Sequence, residues 1–245
     1  MLPVWFGPVS LAKLVVWMFS LAFTLVAPTI DAATASPEAL ASVQQAKDAW
    51  ENAFYTIPPE SQEAALEPLR AQSLRLIDQY PDLAEPYILG ALIECSLAAN
   101  AGGFSALSHV KKARDLALKA LAINPMAFEA SAYVILGNLY YRLPGWPLSF
   151  GDNRIAKSYL ETAVRLYPRG LDSNFFYGDF LLEESSPAAA LPYLEKAEAA
   201  PIRKDSRLSD MKLKEELRVS MKLARGDKVD TQGFYNQFLN ALGAR

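Results

Sequence analysis

The stretch YGDFLLEESSPAAALPYLEKAEAAP, residues 177–201, decides the fold. Gly178 sits in an apolar run, Ala190 and Ala197 follow seven residues apart, and Pro201 ends the pattern. Seven residues are two helical turns, so both alanines lie on one helix face. Side chains that small let another helix approach closely, and Gly178 in the preceding segment serves the same contact from the other side. Proline closes the second helix because its ring cannot continue the hydrogen-bond ladder. The predicted unit is a helical hairpin.

The same set recurs upstream as Leu136-Gly137, Ala156, Ala163 and Pro168, and before that as Leu89-Gly90, Ala113, Ala120 and Pro125. Ala113 to Ala156 is 43 positions and Ala156 to Ala190 is 34. Self-similarity at periods of this size marks stacked supersecondary units. With Tyr133, Tyr140 and Leu160 at large-apolar positions, these residues resemble the tetratricopeptide repeat (TPR) family, whose unit is a 34-residue helix-turn-helix. The resemblance covers residues 84–201. The last unit has the family's glycine-to-alanine spacing of 12, while the first two are stretched to 23 and 19 by extra residues near 98–110 and 143–152. The implied fold is all-α, a right-handed α-solenoid of three TPR-like repeats with a C-terminal capping helix.

The flanks continue the pattern more loosely. Ser36-Pro37-Glu38 is a helix start, with proline at the first helical position. The helix it opens is expected to reach about Tyr55, before Ile57-Pro58-Pro59. A second helix, Gln62–Gln79, stops at Tyr80-Pro81, so residues 36–83 read as a divergent N-terminal hairpin. Residues 202–245 read as the cap and a tail: a charged amphipathic helix from Ser209 to Leu223, stopped at Gly226, then Phe234, Tyr235, Phe238 and Leu239 at helical spacing. A solenoid needs such a cap because its last unit otherwise exposes a stacking face.

Residues 1–35 are expected to be an address. One basic side chain, Lys13, precedes an apolar run from Leu14 to Ile30, and Ala33-Thr34-Ala35 is a small-x-small cleavage pattern. This is the layout of a secretory signal; an uncleaved membrane anchor is the other reading. Both place the remainder outside the cytoplasm, periplasmic or secreted, with membrane contact only if the segment is retained.

Composition removes several function classes. Net charge is −3 and no Lys/Arg run forms a stripe, which disfavours a nucleic-acid partner. The single cysteine, Cys95, lies in the apolar run Tyr87–Leu97 and reads as a buried structural thiol. The single histidine, His109, cannot build an ordinary metal site or supply a triad without further partners. No phosphate-cradling glycine motif occurs, so no cofactor is expected. Asp172, Asp179, Glu183 and Glu184 cluster in sequence, which leaves a carboxylate-only hydrolase as the enzymatic alternative to a non-catalytic protein.

The segment Tyr140–Asp152 is too apolar for a plain loop: Trp146 and Phe150 are held between two prolines and two glycines, and Asp152 stands where a helix cap belongs. A Pro/Gly loop inserted between the two helices of a repeat and ending in Gly-Asp resembles the T components of periplasmic TRAP transporters. These are tetratricopeptide proteins that accompany a solute-binding protein. The aromatics either cap the core or anchor a partner.

The TPR resemblance implies that the first helix of each hairpin lines a concave groove. The positions it places there are Tyr87, Ala91 and Glu94; Val134, Asn138, Tyr141 and Arg142; and Phe175, Asp179, Leu182 and Glu183. Only Asn138 and Arg142 would suit the family's clamp for a peptide carboxylate. A partner with an apolar anchor and some positive charge suits the set better. The expected function is an exported scaffold that binds a protein or peptide of the cell envelope through this groove and the Trp146–Phe150 loop. The alternative is an accessory protein of solute uptake that works with a solute-binding protein and holds or passes on a small molecule.

Overall fold

The computed structural model describes residues 36–227. The expected signal segment 1–35 and the tail 228–245 lie outside the described residues.

Within them the chain forms nine α-helices and no strand. They are α1 (Pro37–Thr56), α2 (Pro59–Gln79), α3 (Ala84–Asn100), α4 (Gly103–Ile123), α5 (Ala127–Arg142), α6 (Asn153–Leu166), α7 (Leu171–Glu184), α8 (Pro187–Ala199) and α9 (Arg207–Ala224), with a 3-10 turn at Lys204–Ser206. Among the described residues no helix is long and apolar enough to cross a membrane.

Local chemistry accounts for the ends. The Ser36 hydroxyl accepts from the Ala39 amide at 3.1 Å, and Pro37 occupies the first turn. Asp152 caps α6, accepting from the amides of Arg154 at 2.8 Å and Ile155 at 3.2 Å. Helices α4, α6 and α8 each stop two residues before Pro125, Pro168 and Pro201. Each hairpin is fastened where the small residues predict. Ala113, Ala120, Ala156, Ala163, Ala190 and Ala197 are all wholly buried. A Cβ at Gly178 would come within 2.7 Å of Leu194 Cδ2, and one at Gly137 within 2.6 Å of Leu160 Cδ2. Only a bare Cα admits the facing leucine at those crossings.

Consecutive helices pack in succession, which is consistent with a solenoid. The odd-numbered helices form an inner series in which α1 touches α3, α3 touches α5, α5 touches α7 and α7 touches α9. Each even-numbered helix packs on its neighbours in sequence. The series also closes, because α9 packs against α1. At that seam Lys47 of α1 donates to the Asp205 carbonyl at 2.7 Å and the Ser206 hydroxyl at 2.9 Å, and pairs with Glu51 at 2.8 Å. Gln44 donates to the same Asp205 carbonyl at 2.7 Å, and the Ser209 hydroxyl to Glu51 at 2.8 Å. The seam residues Lys47, Asp205, Ser206 and Ser209 form part of the wall of a half-open cavity.

Candidate functional site: a cavity inside the closed helix array

The cavity has a volume of ≈ 240 Å³ and takes its wall from α1, α3, α5, α7 and the chain entering α9. From α1 come Trp50, Phe54 and Tyr55, from α7 Phe176, and from α5 Phe128, so five aromatic rings face it. Trp50 stacks on Phe54 with ring centroids 5.7 Å apart, and Tyr55 meets Phe54 edge-on at 4.8 Å. The Trp50 indole N–H donates to the Ser96 hydroxyl at 2.9 Å, which fixes the ring against α3. Leu92, Val134, Ile135 and Leu139 add aliphatic surface, and Ser131, Ser209 and Asn138 add sparse polar groups. Cys95 also lines it; burial first, and the Glu94 charge second, push its thiol up to about 12, so it stays protonated at neutral pH.

Phe128 reaches the wall through an irregularity. Phe128, Glu129 and Ala130 have φ of 44°, 55° and 62°, a left-handed turn built without glycine in the first part of α5. Such residues cost about 1–2 kcal/mol each, so surrounding contacts must hold them. Three are visible. The Ser131 hydroxyl donates to the Phe128 carbonyl, Phe128 packs into the core, and Glu129 pairs with Arg203 at 2.8 Å.

Arg203 organises one end of the cavity. Its guanidinium bonds Glu129 of α5, Asp172 of α7 at 2.7 Å and Asp210 of α9 at 2.5 Å, and its own amide donates to Asp210 at 2.7 Å. Asp210 has 0% exposure, so this carboxylate depends wholly on Arg203 and its neighbours for solvation. Burial would lower the Arg203 pKa, but the charges of Asp172, Asp210 and Glu129 outweigh it and hold the guanidinium more firmly protonated than usual.

The residues expected in the groove divide. Asn138 lines the cavity, its side-chain amide donating to the Val134 carbonyl at 2.9 Å. Tyr87 is buried, with its hydroxyl on the Pro81 carbonyl at 3.1 Å. Glu94 is buried between α2 and α4, bonded to His109 at 2.6 Å with Arg70 at 3.8 Å. Phe175 is buried in the core beside Phe176, which is the residue that faces the cavity. Arg142 and Asp179 form a buried ion pair at 2.6 Å; Glu183 pairs with Arg142 at 2.9 Å and accepts from the Tyr141 hydroxyl at 2.8 Å. Ser220 of α9 donates to Asp179 at 3.2 Å, so α9 covers the buried Arg142–Asp179 pair, while Glu183 stays at the exposed edge of the cluster. Burial pushes the Asp179 carboxyl up to about 6, against the opposing pull of Arg142.

The acids read as a sequence cluster belong to separate groups: Asp172 to Arg203, Asp179 and Glu183 to Arg142, and Glu184 to Asn153 at 2.6 Å. The inserted loop splits its aromatics. Phe150 packs edge-on against Tyr140 at 5.2 Å under the Arg114 guanidinium at 4.6 Å, whereas Trp146 is 90% exposed and Leu148 stands beside it in solvent.

Sequence reasoning missed Phe128, Glu129 and Arg203, and with them the wall residues Trp50, Phe54, Tyr55 and Phe176. A signal existed for the first two. From closing proline to next glycine is 9 residues for Pro81 to Gly90, 10 for Pro168 to Gly178, and 12 for Pro125 to Gly137. The longest of the three contains the left-handed turn. No protein-family model matches the chain, and no curated protein matches it.

Proposed function

We propose that this chain is an exported, non-catalytic binding protein of the tetratricopeptide type, coiled right-handed. It holds a small molecule with an apolar body in the cavity between α1, α5 and α7, as an accessory of solute uptake. The observation that carries this reading is the seam between α9 and α1, whose residues wall one side of an aromatic-lined, half-open cavity. A cavity near 150 Å³ admits benzene, so ≈ 240 Å³ corresponds to roughly ten heavy atoms. That suits a small molecule better than a length of peptide. An aromatic wall with a few hydroxyl and amide groups is the usual make-up of such a site.

The protein-partner reading keeps one observation of its own. Trp146 and Leu148 protrude from a loop whose base is fixed by Phe150 and by the Asp152 cap, a rigid apolar anchor of the kind that dominates interfaces. A solute-binding protein of the cell envelope is the partner that fits both features.

Native mass spectrometry of the full chain isolated from its cell envelope tests the cavity. A retained small molecule that disappears in Ser131→Trp supports the reading; retention in a folded Ser131→Trp protein removes the cavity from it. Capture of a solute-binding protein by the wild type but not by Trp146→Ser supports the loop as its contact.

A further inference from the structure

The wall of the cavity is largely aromatic, and its charged lining is mostly acidic. Glu129, Asp172 and Asp205 line it together with two cations, Lys47 and Arg203, and both cations are already paired. The Lys47 ammonium has three N–H bonds and three acceptors: Glu51, the Asp205 carbonyl and Ser206. Arg203 is shared among Glu129, Asp172 and Asp210. The partners Glu51 and Asp210 are themselves acids, so the formal charge of the lining groups and their partners is negative after every visible pairing.

An anion entering here would meet like charge and find no lysine or arginine waiting for it. A neutral molecule would gain only from burial. An organic cation would be drawn by the acids of the lining and would meet Trp50, Phe54, Tyr55, Phe128 and Phe176, aromatic rings whose faces attract positive charge. Quaternary and other weakly hydrated ammonium groups suit such a box because they give up water cheaply and need no hydrogen-bond acceptor. We infer that the ligand class of this cavity is a small organic cation with an apolar body, recognised by the aromatic wall and selected by the carboxylates Glu129, Asp172 and Asp205. This rests on the cavity being the binding site and adds the sign of the charge it takes.

The test is calorimetric titration of the full chain with three probes of similar size: benzyltrimethylammonium, 2-phenylethanol and phenylacetate. The cation is expected to bind about tenfold more tightly than the alcohol, with phenylacetate weakest, a gap of the size that one desolvated cation–π and carboxylate environment supplies. Asp172→Asn should erode the cation's advantage roughly three- to tenfold and leave 2-phenylethanol unchanged. Because Asp172 also holds Arg203, Asp205→Asn is the second variant: its bonds to Lys47 and Gln44 use the backbone carbonyl and survive. It should move affinity in the same direction by a smaller factor. Equal or tighter binding of the alcohol or of phenylacetate overturns the charge preference and leaves the cavity as an apolar site. Binding of none of the three at millimolar concentration overturns both the preference and the cavity reading.

Discussion

The pairs α5–α6 and α7–α8 are built on one scheme and differ in what has been added to it. Both cross at a glycine facing a leucine, both bury two alanines seven residues apart in the second helix, and both end two residues before a proline. Only α5–α6 carries insertions. Its start holds the left-handed turn that brings Phe128 to the cavity and Glu129 to Arg203, and its inner loop holds Trp146 in solvent. In α7–α8 the same places are a plain helix start and a two-residue connection. The regular positions make the hairpin, and the irregular ones put side chains where a ligand or partner can reach them.

The shared scheme is broken most severely at its crossings. Leu160→Ala and Leu194→Ala each remove a wholly buried side chain packed on a glycine, and each is expected to cost about 2–5 kcal/mol in urea unfolding. Comparable losses would confirm that the two hairpins are fastened alike; a large loss at one leucine only would show that the likeness is superficial.

The junction between the two pairs is sharpened by pH. Asp179 ionises with a pKa of about 6 in the folded chain against 3.8 for the free group, so the folded state binds the proton more tightly. Its contribution therefore favours folding below pH 3.8 and is withdrawn as pH rises through 6. Asp179→Asn does not titrate, and relative to wild type it should gain about 2 kcal/mol between pH 4 and pH 7. A constant difference across that range would contradict the assignment.

The left-handed turn separates inserted from regular backbone within one helix. Ala130→Gly exchanges a buried methyl, about 0.8 kcal/mol, for relief of about 1–2 kcal/mol of strain, and should be neutral or stabilising. Ala132→Gly, two residues on in ordinary helix, should destabilise by about 1–2 kcal/mol. Equal losses at both would mean that residue 130 is not under left-handed strain. Smallest is the loop tip: Trp146→Ser should change stability by no more than about 0.5 kcal/mol, since its ring touches little of the protein.

The hairpins were legible because their signals are local. Alanines seven apart, a glycine in the partner helix, Pro125, Pro168 and Pro201 after the second helices, and Asp152 as a cap all act within one unit. The helix starting at Pro37 was readable for the same reason, and it ends at Thr56, one residue beyond the expected Tyr55. The cavity wall was less legible. A shift of one residue turns a helical side chain by about a quarter of a circle, which is the difference between Phe175 and Phe176, or between Glu94 and Cys95. Within α5 the expected Val134 and Asn138 do line the cavity. The seam was not legible at all. Lys47 and Asp205 are 158 residues apart, and no local pattern around either one signals that they meet. Likewise Asp179 reads as a groove residue until α9 is laid over it.

The meeting of α1 and α9 also bears on how the molecule comes apart. Open repeat arrays behave as one-dimensional chains of semi-independent units that fray from their free termini. Among the described residues neither end helix is free, since α1 and α9 are each other's neighbours, and loosening either one first requires breaking the bonds of Lys47, Gln44 and Ser209. Melting should therefore be a single concerted event, with α1 and α9 released together and not in turn.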